Sequence, residues 1–151
     1  MTKVALMGAG GKMGLRLASN LMKSDHDVLH VEIDPAGQQR LKDETGIDCV
    51  GQGQALSNAE AVILAVPDRL IGKVLNGFID DLKPGTAVIM LDAAAPHAET
   101  LPKRADITYF VAHPCHPPLF NDEIDPDAQK DYFGGIAAKQ HIICALGQGP
   151  E

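Results

Sequence analysis

Apolar residues fall into short runs separated by amphipathic stretches, an alternation that predicts βαβ units around a parallel sheet. The first run is Val4 to Met7; after a glycine-rich turn, Leu15 to Met22 carries apolar residues at helical spacing. Val28 to Asp34 reads as a second strand ending in a carboxylate, and Pro35 to Thr45 as a helix closed by Gly46. Asp48 to Val50 reads as a brief third strand, and Ala61 to Val66 as one buried on both faces. Leu70, Ile71, Val74, Leu75, Phe78, Ile79 and Leu82 form one helical stripe, ended by Lys83-Pro84-Gly85. Ala87 to Leu91 and Ile107 to Val111 read as further strands, with a short helix over Pro96 to Arg104 between them. Ile142 to Leu146 is a last strand whose direction the pattern leaves open. The long stretch Ala112 to Gly135, rich in Pro, Asp, Asn and Gly, reads as a functional or mobile loop. The predicted class is α/β: a Rossmann-type, doubly wound, mainly parallel sheet with helices on both faces, formed by residues 1–151.

The turn between the first strand and helix is Gly8-Ala9-Gly10-Gly11-Lys12-Met13-Gly14. Such a turn lets backbone approach a diphosphate closely and aims the first amides of the helix at its charge. All seven residues are therefore candidate cofactor contacts. The spacing reads either as G-x-G-x-x-x-G or, through Gly11, as G-x-x-G-x-x-G. By itself it also fits an ordinary tight turn, but a carboxylate about 20 residues further on strengthens the dinucleotide reading. Asp34 is placed to accept hydrogen bonds from an adenosine ribose, and its charge would repel a 2′-phosphate, which favours NAD over NADP. Glu32 is expected to point to the strand's other face. Arg40 argues the other way, because a nearby arginine can accept a 2′-phosphate.

Ligands of an open parallel sheet bind beyond the C-terminal ends of its strands. Ala65, Val66 and Pro67 follow one strand and can run under a ribose and nicotinamide. Ala93, after the strand that ends at Asp92, leaves room for a planar ring, although a plain helix entry also explains Ala93-Ala94-Ala95-Pro96. His113 follows the next strand. A hydride leaves an alcohol only as its hydroxyl proton is removed, and imidazole titrates in the right range for that task. General base and prolyl-turn residue both remain open for His113.

Net charge is -7, which argues against nucleic acid or an anionic membrane as the main partner. No stretch approaches the roughly 20 apolar residues of a membrane helix. Cys49, Cys115 and Cys144 are far apart and odd in number, so free thiols and a cytoplasmic location are expected. His113, Cys115 and His116 with Asp122, Glu123, Asp125 and Asp127 match no metal spacing, and the acidic run reads as a solvated loop. No metal is expected.

The order of glycine loop, Asp34, Val62-Ile63-Leu64-Ala65-Val66-Pro67, Leu82-Lys83-Pro84-Gly85-Thr86 and Ala112-His113-Pro114 resembles the N-terminal half of the 6-phosphogluconate dehydrogenase-like superfamily. That superfamily includes the β-hydroxyacid dehydrogenases. It also includes the prephenate dehydrogenases, whose His-Pro pattern His113-Pro114 resembles, and that resemblance implies a histidine that contacts the substrate hydroxyl. More narrowly, Leu91 to Pro96, His113 to Phe120 and Asp131 to Gly135 resemble the apionate oxidoisomerase branch. The resemblance implies an NAD(P)-dependent oxidoreductase acting on a hydroxy acid or sugar acid, with oxidation of a branched sugar acid coupled to rearrangement in that branch. It also implies an all-helical domain downstream that closes the substrate site and mediates homodimerisation; nothing in these residues corresponds to it. Two other readings stand beside this one. The chain fits a stand-alone NAD(H)-sensing domain without catalysis. Its Gly-x-x-Gly-x-x-Gly spacing also fits a dihydrodipicolinate reductase-like enzyme, although it lacks that group's His-His and Lys-rich stretch.

Overall fold

Successive side chains of a strand point to opposite faces, and β1 (Lys3–Met7) buries both of its faces. Leu6 packs with Ala18 of α1 (Lys12–Leu21) and Leu41 of α2 (Pro35–Thr45). Ala5 and Met7 pack on the other side with Leu56 of α3 (Gln52–Leu56) and with Ile71 and Leu75 of α4 (Ile71–Asn76). The sheet is thus covered by helices on both faces, as the sequence predicts. The computed structural model describes residues 1–117, 123–131 and 135–149. Pro118, Leu119, Phe120, Tyr132, Phe133 and Gly134, which carry part of the narrower resemblance, and Asp122 of the acidic run lie outside the described residues.

The remaining described strands are β2 (Asp27–Val31), β3 (Ala61–Leu64), β4 (Ala87–Met90), β5 (Thr108–Pro114) and β6 (Ile142–Gln148). Their order is β2-β1-β3-β4-β5-β6. The first five strands in that order run parallel, and β6 is antiparallel to β5. Between β1 and β3 the order reverses, which is where open α/β sheets form a ligand crevice.

Several elements depart from expectation. Residues 48–50 form no strand: only Val50 reaches β2, its amide donating to the His30 carbonyl at 2.9 Å, while Asp48 pairs with Lys42 at 2.6 Å. The stripe from Leu70 to Leu82 is buried largely as predicted, but not on one helix. It is divided among a 3₁₀ turn (Asp68–Leu70), α4 and a second 3₁₀ turn (Ile79–Asp81). The break falls at Asn76-Gly77, where Asn76 Nδ2 donates to the Gly72 carbonyl and Gly77 favours leaving the helix. The helix expected over 96–104 is shorter and earlier, α5 (Ala94–His97). It ends where Glu99 takes a left-handed backbone with φ 53°, ahead of Pro102. The expected long loop also shrinks: β5 continues through Pro114, and α6 (Pro126–Lys130) occupies part of the remainder.

Candidate functional site

Three of the loop glycines are demanded by close approach. A Cβ on Gly10 would run into the Gly37 backbone of α2, and one on Gly14 into the Gly8 carbonyl oxygen. Gly8 has φ +78° and would bring a Cβ to 2.6 Å from the Ala65 carbonyl oxygen. Gly11 is different, since its nearest neighbour would lie at 3.4 Å, an ordinary contact. The working spacing is therefore G-x-G-x-x-x-G through Gly8, Gly10 and Gly14. Gly11 begins α1 with no side-chain cap, so the amides of Lys12, Met13 and Gly14 form an uncapped first turn. Ala9 is fully buried behind the loop, its amide bonded to the Val31 carbonyl at 3.0 Å.

Cavities lie on both sides of this loop, and Val66 lines each. One, of about 370 Å³, is lined by Gly8, Val31, Glu32, Ile33, Val66 and Lys73, among others. The other, of about 380 Å³, is lined by Gly11, Lys12, Met13, Ala65, Val66 and Pro67, and across from them by Asp68, Leu91, Asp92, His113 and Pro114. Of the sequence-predicted residues, Gly11, Lys12, Met13, Ala65, Val66, Pro67 and His113 are thereby brought to one cleft, Gly8 lines the other cavity, and Ala9, Gly10 and Gly14 line neither. Ala93 is exposed at the head of α5; its neighbours Leu91 and Asp92 line the cleft instead.

The two carboxylates after β2 divide the work differently from the sequence reading. β2 stops at Val31, so Glu32 and Asp34 both lie past it, and residues two apart share a face in any case. Glu32 does not point away. Its Oε2 accepts the Gly10 amide at 3.1 Å and its Oε1 the amides of Ile33 and Asp34. Asp34 caps α2, accepting the amides of Ala36 at 3.3 Å and Gly37 at 3.1 Å. Its Oδ2 also lies 3.7 Å from Arg40, whose Nε donates to the Gly10 carbonyl at 3.2 Å.

His113 sits in β5, with Nδ1 2.9 Å from the Leu91 carbonyl oxygen and 3.5 Å from Asp92 Oδ2. A carbonyl only accepts, so Nδ1 carries the hydrogen and Nε2 keeps the lone pair of the neutral ring. With its side chain 45% exposed in the cleft wall, His113 can take a proton from a bound hydroxyl. Sequence reading marked Asp92 as a strand end and Leu91 to Pro96 as part of the narrower resemblance, but it gave neither Leu91 nor Asp92 a role beside His113. Among the described residues no group of three or more His, Cys, Asp or Glu could hold a metal ion. None of the described helices is long and apolar enough to cross a membrane.

The order of strands, the glycine turn at the switch point and the flanking cavities define a Rossmann-type nucleotide-binding fold. The chain belongs to the family described as NADP oxidoreductase, coenzyme F420-dependent, whose model matches residues 3–96. A second family model, the phosphogluconate dehydrogenase (decarboxylating) C-terminal region, matches residues 121–151. The chain is 63% identical over its whole length to a D-apionate oxidoisomerase of Rhizobium rhizogenes, covering 55% of that protein. It is 62% identical over 99% of its length to the D-apionate oxidoisomerase of Cupriavidus necator, covering 54% of it. The crystal structure of a semialdehyde dehydrogenase NAD-binding protein from Cupriavidus necator, in complex with calcium and NAD, superposes with a TM-score of 0.93. Identity to it is 62%, over all of this chain and 55% of that one. The chain thus spans about half the length of the curated relatives it matches, and both the broader and the narrower sequence resemblance are borne out.

Proposed function

We propose that these residues are the cofactor-binding part of an NAD-dependent oxidoreductase acting on a hydroxy acid or sugar acid, with D-apionate as the first substrate to test. The observation that carries this reading is the cleft in which His113 faces the glycine loop and Ala65-Val66-Pro67. The donor set fits a dinucleotide: tight glycines, an uncapped first helical turn and the Lys12 side chain suit a diphosphate. A nicotinamide coenzyme bound there supplies the hydride acceptor. Glu32 lines the cavity on the other side of the loop and is the carboxylate best placed for an adenosine ribose; Asp34 holds Arg40 and the start of α2. A negative charge at the ribose favours NAD over NADP. Val66, Pro67 and Leu91 keep the cleft apolar beside His113, whose Nε2 accepts the substrate hydroxyl proton.

The relatives' names and greater length support catalysis over a sensing role without chemistry. They also support a further domain beyond these residues, taken here as helical, that completes the substrate site and forms a homodimer. Nicotinamide chemistry and the free thiols support a cytoplasmic location. The test is an NADH emission titration of the full-length protein, coupled to reduction of NAD by D-apionate and other hydroxy acids. His113→Asn is expected to leave NADH affinity unchanged and to lower kcat by roughly a hundredfold or more, within the range that one acid–base group contributes. Absence of NADH binding rejects the cofactor assignment, and unchanged turnover in His113→Asn removes the histidine from the chemistry.

A further inference from the structure

Asp92 stands two residues past the end of β4 with its two carboxylate oxygens doing different things. Oδ1 accepts the Ala94 amide at 2.6 Å, which fixes the side chain at the head of α5. Oδ2 is then held 3.5 Å from His113 Nδ1, while the shorter bond of that nitrogen goes to the Leu91 carbonyl at 2.9 Å. Leu91 and Asp92 are adjacent in sequence, so one turn of backbone brings a carbonyl dipole and a formal charge to the same ring edge. The Asp92 side chain is only 28% exposed, and Asp92 and His113 line the same cleft.

Those two contacts have separate consequences. The Leu91 carbonyl is enough to set the tautomer, since it can only accept. It does little for a full positive charge. When a substrate O–H bond breaks and the proton forms a bond to Nε2, the ring becomes an imidazolium. The carbinol hydrogen leaves with its electron pair to the nicotinamide coenzyme, and the alcohol becomes a carbonyl. The charge on the ring is new in that step, and a carboxylate already fixed beside Nδ1 offsets it without rearrangement. We propose that Asp92 is a positioning residue for His113, clamped by the Ala94 amide so that its free oxygen orients the ring and stabilises its protonated form during oxidation. The proposal deepens the oxidoreductase reading above and rests on it.

A helix cap alone would use only Oδ1, and substitution separates the two roles. Asp92→Asn keeps an oxygen for the Ala94 amide and removes the charge; Asp92→Ala removes both. In the full-length enzyme, Asp92→Asn is expected to retain the melting temperature, the NADH affinity and the KM for substrate. Its kcat should fall by about tenfold or more, in line with the loss of one preorganised electrostatic partner. A second readout needs no turnover: in the cofactor-free protein, the Hδ1 proton resonance of His113 should move upfield once the carboxylate is gone. Wild-type kcat in Asp92→Asn, with only Asp92→Ala impaired, overturns the proposal in favour of a plain cap. An unmoved Hδ1 resonance overturns the pairing itself. If the wild-type enzyme neither binds NADH nor oxidises any hydroxy acid, it is the oxidoreductase reading that fails, and the resonance still decides whether Asp92 and His113 act together.

Discussion

Glu32 and His30, one half-buried and one buried, each carry a prediction, the first for cofactor choice and the second for pH. Glu32 carries its charge into the cavity beside Gly8, with one oxygen on the Gly10 amide. Replacing it by glutamine keeps the shape and removes the repulsion that a 2′-phosphate meets. Glu32→Gln is expected to raise the NADPH-to-NADH affinity ratio about tenfold, equivalent to ~1.4 kcal/mol. Paired emission titrations read the ratio directly; a shift in Asp34→Asn but not in Glu32→Gln would return the ribose contact to Asp34. His30 poses the opposite problem. It is 5% exposed in β2, its Nε2 has no hydrogen-bond partner among the described residues, and burial holds its pKa below the ordinary 6.5. A proton is then taken up more readily by the unfolded chain than by the folded one. Stability from this residue is therefore full above about pH 6.5 and falls as the pH drops below it. His30→Leu should flatten that acid limb in urea unfolding at pH 5 and pH 8. An unchanged difference between the two pH values would place the acid sensitivity elsewhere.

Among the elements, the glycine turn and α1 were legible in the sequence because sterics leave few alternatives there. Alternating apolar runs likewise revealed the parallel strands and the burial of Ile71, Leu75, Phe78, Ile79 and Leu82. The break in that last stripe was not legible, since it depends on Asn76 turning its amide back onto Gly72 rather than on periodicity. Nor was the direction of β6, which is set by its pairing to β5 and leaves no local mark. For the site, a strand-end histidine could be found from pattern alone. Its partners could not: Leu91 offers a backbone carbonyl that any residue has, and Asp92 reads equally well as a cap. The choice between two glycine spacings also waited on packing, and it yields a test. Gly10→Ala must push α2 away from the loop, at a cost of about 1–3 kcal/mol for overpacking. Gly11→Ala meets only ordinary contacts. Thermal melts should show a clear drop for the first variant and little change for the second, and equal losses would reinstate the spacing through Gly11.

At the scale of the whole molecule, the sheet ends differ in how they are finished. The interior strands β1, β3 and β4 are covered by helices, whereas β6, at one edge, is exposed along almost its entire length. Ile142, Ile143 and Leu146 are 59%, 63% and 42% exposed, and Ile142–Gln148 contains no charged residue. Edge strands ordinarily carry a lysine, a proline or a bulge that discourages further pairing. Here the register shifts opposite Tyr109 and Phe110 and leaves Gly147 as the extra residue of β6, close to its end, while Ile142 to Leu146 pair regularly. The net charge of -7 does not protect this edge, because none of that charge is on it. Residues 1–151 expressed by themselves are accordingly expected to self-associate as concentration rises, with β6 as the adhesive surface. Leu146→Lys, paired opposite Phe110 and away from His113, should shift sedimentation towards monomer while leaving NADH affinity unchanged. Monomeric behaviour of the unsubstituted chain at about 100 μM, well within the range where exposed strand edges pair, would show that the edge is inert. Because β6 also places Ile143 beside His113 in register, a surface that covers this edge in a larger assembly would come to stand next to the cleft.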